Sequence, residues 1–184
     1  MKLEFVKNQL PILAALVVVI GVIAGIYYFT QSSESKPITK YKFQGNELSF
    51  RDDLRLAKNI SVYPDEQAIL NKIWSPEIQN ITIVYKDTSD NQFTTVNAFE
   101  ITFKLRVAYG QFSWDINFDG KEVESFDNLN GSVENLIVAL IPPSLATDTG
   151  VEMKDHVVYI KGKTQKEFDL ATIKFIMAAL NITI

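Results

Sequence analysis

A run of twenty uncharged residues, from Leu10 to Phe29, constrains this chain more than any other feature of its sequence. At about 1.5 Å of rise per residue, a helix of this length crosses the roughly 30 Å hydrocarbon core of a bilayer. Pro11 suits the first turn of such a helix, and Tyr27 to Phe29 supply an aromatic belt at its far end. The run therefore predicts a transmembrane helix at residues 10–29.

The same run bears on two further questions, cleavage and helix pairing. A cleaved signal peptide has a shorter apolar region and a small-residue cleavage site in a polar context. Val22-Ile23-Ala24 is a poor version of that site and lies inside the apolar run, so an uncleaved anchor is favoured. Gly21 and Gly25 form a GxxxG pair, which lets two membrane helices approach closely and predicts a helix–helix contact.

The charges beside the anchor do not decide its orientation, because lysines flank both ends. Four N-x-S/T triplets, a modest excess over chance, favour a domain outside the cell as a glycosylated protein; their acceptors are Asn59, Asn80, Asn130 and Asn181. The predicted plan is a cytoplasmic tail (1–9), a single-pass transmembrane helix (10–29), a polar linker (30–39) and an extracytoplasmic domain of the cell envelope (40–184).

Composition excludes several classes of function. The net charge of −4, with no basic run, argues against nucleic-acid binding. The absence of cysteine excludes disulfides, thiol catalysis and iron–sulfur clusters, and His156 is the one histidine. Gly162-Lys163-Thr164 lacks the glycine five positions earlier that a phosphate loop needs, because Val157 stands there. No nucleotide, no cofactor and no catalysis are therefore expected.

Periodicity predicts an α+β domain with a buried C-terminal helix packed on a mainly antiparallel sheet. A hairpin is expected at 41–50, and a short helix at 51–58 with Ser49 and Asp52 as a capping box. The other predicted elements are helices at 64–73 and 168–180 and strands at 80–85, 136–141 and 157–161.

Residues 99–109 allow two interpretations. Apolar side chains fall at every second position from Phe99 to Tyr109, which favours a strand. However, a strand, a polar loop, a phenylalanine and an alanine-containing apolar run occur twice in the chain. If this is a degenerate repeat, residues 93–108 match the C-terminal helix.

Residues 112–123 alternate around Asp119-Gly120, and this pattern predicts a hairpin. Asp115, Asn117 and Asp119 also match the start of a calcium loop, with Glu122 as a further ligand. Position twelve of that loop is Phe126 instead of the required glutamate, so the hairpin turn is favoured over a Ca²⁺ site.

The C-terminal third carries a resemblance to a known group of proteins. The segment VVYIKGKTQKEFDLATIKFIMAAL, with the preceding LIPPSLA, resembles the C-terminal part of uncharacterised archaeal single-pass membrane proteins. The resemblance implies an archaeal envelope setting. It includes no motif of known chemistry and transfers no functional residue.

Three functions fit these observations. The first is a non-enzymatic, membrane-anchored module that binds or scaffolds another envelope protein or a glycan. Trp74, Trp114 and several tyrosines are either core residues or a surface for sugar or peptide. The alternatives are a pilin-like or oligomeric subunit assembled through the N-terminal helix, and a carboxylate-based hydrolase of envelope polymer. The hydrolase needs two acidic residues facing each other across a cleft.

Overall fold

A computed structural model describes residues 39–184. The predicted anchor, its Gly21–Gly25 pair and the tail before it lie outside these residues. Within residues 39–184, no helix is both long enough and apolar enough to span a membrane. The described residues 39–184 form one compact unit.

The described chain contains eight strands and four helices. The strands are β1 (Thr39–Phe43), β2 (Asn46–Phe50), β3 (Val62–Tyr63), β4 (Asn80–Tyr85), β5 (Asn117–Glu122), β6 (Asn135–Ile141), β7 (Gly150–Lys154) and β8 (Val157–Lys161). The helices are α1 (Leu54–Ala57), α2 (Glu66–Ile73), α3 (Asn91–Gln111) and α4 (Gln165–Ala179). The mixed α+β class is thus confirmed.

The main sheet has six strands in the order β3-β7-β8-β6-β4-β5, and β1 and β2 form a separate antiparallel hairpin. Four of the five pairings in the main sheet are parallel, and only β7 with β8 is antiparallel. The prediction of a mainly antiparallel sheet is therefore wrong. Its cause is that the crossover helix between β4 and β5 had been assigned as a strand.

That crossover helix is α3, so the strand prediction for residues 99–109 is wrong and the helical alternative is correct. Ile101, Leu105 and Ala108 lie at helical spacing and are buried. Phe99 and Phe103 are exposed on the outer face and stack on each other, with ring centroids 5.8 Å apart. The alternation thus arises because two helical faces, one buried and one exposed, both carry apolar residues.

The hairpin predicted at residues 112–123 is also wrong. Strand β5 runs parallel to β4 at the edge of the sheet, and Asp119 and Gly120 lie in mid-strand beside Thr82 and Ile83. The predicted capping box at Ser49 is wrong as well, because Ser49 belongs to β2. Instead, the side chain of Asp53 caps α1 by accepting a hydrogen bond from the Arg55 amide at 2.9 Å.

Helix α4 forms the centre of the core, as predicted for a buried C-terminal helix. It packs on β7 and β8 and also contacts α1, α2 and α3. Every residue from Phe168 to Ala179 is buried, including the charged Asp169 and Lys174. Lys174 reaches out of the core to Glu66, with its Nζ 2.6 Å from the carboxylate.

The two faces of the main sheet pack differently. Strand β6 is buried on both faces, because Val138 and its alternate neighbours meet the helices while Ile137 and Ala139 face the other way. On that other face, Val123, Phe126 and Leu129 of the long β5–β6 connection pack against the sheet. All four helices therefore contribute to a single layer.

Candidate functional site

A concave groove of about 830 Å³ lies on the surface of the described domain. We call it the aromatic groove; it is lined by Tyr41, Lys42, Phe43, Gln44, Leu70, Asn71, Trp74, Ser75, Pro76, Phe112, Leu180 and Asn181. One wall is the β1–β2 hairpin and the other is α2 with the residue that follows α3. The volume is in the range of ligand pockets, about 300–1,000 Å³.

Trp74 forms the floor of the groove and is held from two directions. Its indole Nε1 donates a hydrogen bond of 2.7 Å to the carbonyl of Ala179, at the end of α4. Its ring packs against Tyr109 and Phe112, at centroid distances of 5.0 and 5.2 Å. Because its only polar atom is already bonded, Trp74 can offer a ligand only its apolar ring surface.

Tyr109 fixes the layer beneath Trp74. Its hydroxyl donates a hydrogen bond of 2.6 Å to the carbonyl of Ile73, and burial raises the pKa of this phenol. Trp114 stacks on Tyr109 at 6.1 Å and packs against Trp74 at 5.7 Å. Of the two tryptophans singled out in the sequence, Trp74 therefore lines the groove, whereas Trp114 supports it from the side.

The polar groups along the groove are mainly amides. Asn71 is exposed on α2, and its side-chain oxygen accepts a hydrogen bond from Gln67 at 2.8 Å. Gln44 lies at the hairpin turn and Asn181 follows α4. Lys42 is the one charged residue among the lining residues, so the groove is nearly neutral.

The predicted calcium ligands do not form a loop. Asn117 and Asp119 belong to the extended strand β5, and Asp115 precedes it. The tight turn at Gly120 that a calcium loop requires is absent, because Gly120 pairs with Ile83 in the sheet. Within residues 39–184, no three acidic or histidine side chains are grouped as metal ligands.

The predicted glycosylation acceptors differ in accessibility. Asn59, Asn130 and Asn181 are exposed, whereas Asn80 is half-buried at the start of β4, between β5 and β6. Asn181 also lines the aromatic groove, so a glycan there would begin at the wall of the groove.

A buried polar network, which the sequence did not reveal, connects α3 to α4. The Arg51 guanidinium donates to Asn97 Oδ1 at 2.9 Å, and Asn97 Nδ2 donates to Asp169 Oδ1 at 3.1 Å. Arg51 also lies 3.3 Å from Glu100, which pairs with Lys104. Because Lys104 points inward only if this segment is helical, the strand prediction for residues 99–109 placed it on the solvent-facing side.

Lys104 is the titratable group of this network with the clearest perturbation. Its side chain is buried, and its Nζ lies 4.7 Å from the centre of the Phe50 ring. Burial, assisted by the positive charge of Arg51, lowers the pKa of Lys104 from 10.5 to about 8. Asn97, Lys104 and Asp169 are buried, whereas the Arg51 side chain is 38% exposed at the edge of the network. The network therefore connects α3 to α4 mainly through buried polar contacts.

No known protein family, curated protein or solved structure matches this chain. The groove must therefore be interpreted from its own chemistry. Its half-buried and exposed aromatic rings and its amide side chains suit a ligand that has apolar faces and hydrogen-bonding edges and carries little charge.

The lowered pKa of Lys104 predicts a rise of stability with pH. Between pH 8 and 10.5 the unfolded chain binds a proton that the folded chain has released, so the free energy of unfolding increases as pH rises through this window. In chemical unfolding, the free energy of unfolding of the unsubstituted protein should rise by about 1–2 kcal/mol from pH 8 to pH 9.5. We expect Lys104→Met to abolish this rise. Lys121→Met, at an exposed position, should retain the rise. An equal dependence of unfolding free energy on pH in the two variants would contradict the attribution of the rise to Lys104.

Proposed function

We propose that this chain is a membrane-anchored, non-catalytic module that binds a neutral glycan of the cell envelope in its aromatic groove. The observation that carries the proposal is the arrangement of the half-buried Trp74 and the exposed Phe112 beside amide side chains in one groove. A sugar ring presents C–H groups on its faces and hydroxyls at its edge. The aromatic rings can pack against the C–H faces, and the amides of Asn71 and Asn181 can form hydrogen bonds with the hydroxyls.

A proline-rich peptide is the other ligand that docks in aromatic-lined grooves. Two features favour a glycan. The indole N–H of Trp74 is already bonded to Ala179 and is not free to donate to a peptide carbonyl. The rim also carries several amides from separate segments, which is more hydrogen-bonding capacity than a proline-rich strand with few N–H groups would use.

The membrane location in this proposal comes from the apolar run at residues 10–29. The outward orientation comes from the four acceptor triplets, of which Asn59 and Asn130 are the exposed ones outside the groove. Intact mass and glycosylation mapping on protein from its native membrane test this part. Glycans on these residues, with Met1 retained, would support it, whereas a shortened N-terminus would favour the pilin-like alternative.

Removal of Phe112 tests the groove itself. Phe112 is 49% exposed and forms one side of the groove against Trp74. We expect Phe112→Ala to weaken glycan binding about twofold to tenfold, since an aromatic contact contributes about 0.5–1.5 kcal/mol. The full chain in detergent is titrated with neutral hexose and N-acetylhexosamine oligosaccharides, and binding is monitored by tryptophan fluorescence.

Phe103→Ala is the matched control, because Phe103 is 51% exposed on the outer face of α3 and does not line the groove. The protein should come from a host that does not glycosylate Asn181. Loss of binding in both variants, or in neither, would reject the groove as the site. Formation of new reducing ends on the oligosaccharides during incubation would favour the hydrolase alternative instead.

A further inference from the structure

A second pocket, of about 500 Å³, lies where β4 and β5 end and α3 begins. We call it the strand-end pocket. Because β4 and β5 are parallel, Tyr85 and Glu122 lie side by side at their carboxyl ends. The first two turns of α3 cover them, with Thr94 and Ala98 facing the space. Ligands of parallel sheets commonly bind at this end of the strands.

Next to the pocket, strand β5 carries a glycine, Gly120. Gly120 precedes Glu122 by two positions, so both project to the same face of β5. A Cβ built on Gly120 would meet no heavy atom within 4 Å. Space is therefore open between this part of the strand and the helix.

Thr94 gives the pocket an unused polar group. Its side chain is 2% exposed, and its hydroxyl has no hydrogen-bond partner within the described part of the chain. Leaving a buried hydroxyl unpaired costs about 1–3 kcal/mol. Because Thr94 lines the pocket, a bound ligand can supply the missing partner.

The charges around the pocket indicate the kind of ligand. Asp87 and Glu122 both line it, and none of the lining residues is basic. Asp87 is oriented by Asn91, whose side-chain amide donates to it. Two carboxylates are too few for Ca²⁺, which takes 6–8 oxygen ligands, and no third acidic residue joins them in the described chain. An ammonium group needs only two or three acceptors.

We propose that the strand-end pocket binds a small organic cation, whose primary ammonium group lies between Asp87 and Glu122 and donates to the Thr94 hydroxyl. This site is separate from the aromatic groove and does not depend on the function proposed for it. The remaining volume of the pocket accommodates an alkyl chain along Ala98.

Calorimetric titration of the full chain in detergent with spermidine, at low ionic strength, tests this proposal. We expect one site per chain. Glu122→Gln should weaken binding about tenfold, because it removes one charge-assisted hydrogen bond. The control Glu124→Gln removes the same charge from an exposed residue outside the pocket and should leave binding unchanged.

Thr94→Val separates a binding role from a structural one. Valine keeps the shape and removes the unpaired hydroxyl, so thermal stability should stay level or rise. Spermidine binding should nevertheless fall about threefold or more, since the ligand loses an acceptor.

Three outcomes would overturn the proposal. The first is no heat of binding for the wild-type chain. The second is equal weakening by Glu122→Gln and Glu124→Gln, which would mean diffuse attraction to a negative surface. The third is tighter binding of Ca²⁺ than of spermidine with the same dependence on Glu122, which would make the pocket a metal site.

Discussion

Replacing Gly162 by alanine is expected to lower the free energy of unfolding by about 3 kcal/mol or more, because overpacking against backbone cannot be relieved by a side-chain rotation. A Cβ on Gly162 would lie 2.2 Å from the Phe168 amide nitrogen and 2.4 Å from its Cα. Phe168 belongs to the first turns of α4, which is the centre of the core. Relief of the clash would require α4 to move away from β8.

Chemical unfolding followed by tryptophan fluorescence measures this effect, since both tryptophans of the chain, Trp74 and Trp114, lie in the described domain. Gly110→Ala is the matched control, because a Cβ on Gly110 meets nothing within 4 Å and the residue lies in the last turn of α3. That variant should be equally stable or more stable, by up to about 1 kcal/mol. A stable Gly162→Ala protein would show that α4 and β8 are less closely fixed than the structure indicates.

Elements with one strong local signal were predicted correctly from the sequence. The run from Leu136 to Ile141 is β6, and the apolar tail from Phe168 is α4. The helix preceded by Pro64 is α2, although its cap is the Asp65 side chain, which accepts from the Ala68 amide at 2.7 Å. In each case, hydrophobic spacing and a nearby boundary residue indicated the same element.

Helix α3 was mispredicted because the spacing of apolar residues was taken as the spacing of buried residues. In this helix, some of the apolar residues are exposed. Phe99 and Phe103 are exposed, yet together with Ile101 and Leu105 they create an alternating pattern. Strand direction was mispredicted for a different reason. The direction depends on which distant segments pair, although the uninterrupted apolar run of β6 was a signal for a parallel strand buried on both faces.

The candidate site was predictable only in part. Trp74 could be singled out by residue type, but Tyr41, Phe112 and Leu180 join it from segments far apart in the chain. Their meeting depends on the positions of the hairpin, α3 and α4 around α2. Local sequence patterns contain no information on such long-range packing, so the groove could not be derived from the sequence.

The buried network that fixes α3 against α4 is expected to contribute strongly to stability. Asp169 accepts from Asn97 at 3.1 Å and lies 3.4 Å from Arg51. Asp169→Ala leaves the Asn97 amide, which is fully buried, without its acceptor and leaves the Arg51 guanidinium without one of its two carboxylates. Leaving the buried Asn97 amide unpaired costs about 1–3 kcal/mol, whereas Arg51 is 38% exposed and keeps Glu100 as a partner. Unfolding in urea, followed by tryptophan fluorescence, gives the change directly.

Asp148→Ala is the matched control, because Asp148 pairs with Lys161 at 2.8 Å but its side chain is 59% exposed. An exposed pair of this kind contributes about 0–1 kcal/mol. A double-mutant cycle of Asp169→Ala with Asn97→Ala then isolates their coupling, expected at about 1–3 kcal/mol for contacting residues in one network. Equal losses for Asp169→Ala and Asp148→Ala would contradict the network's role, because burial would then add nothing to an ordinary surface pair.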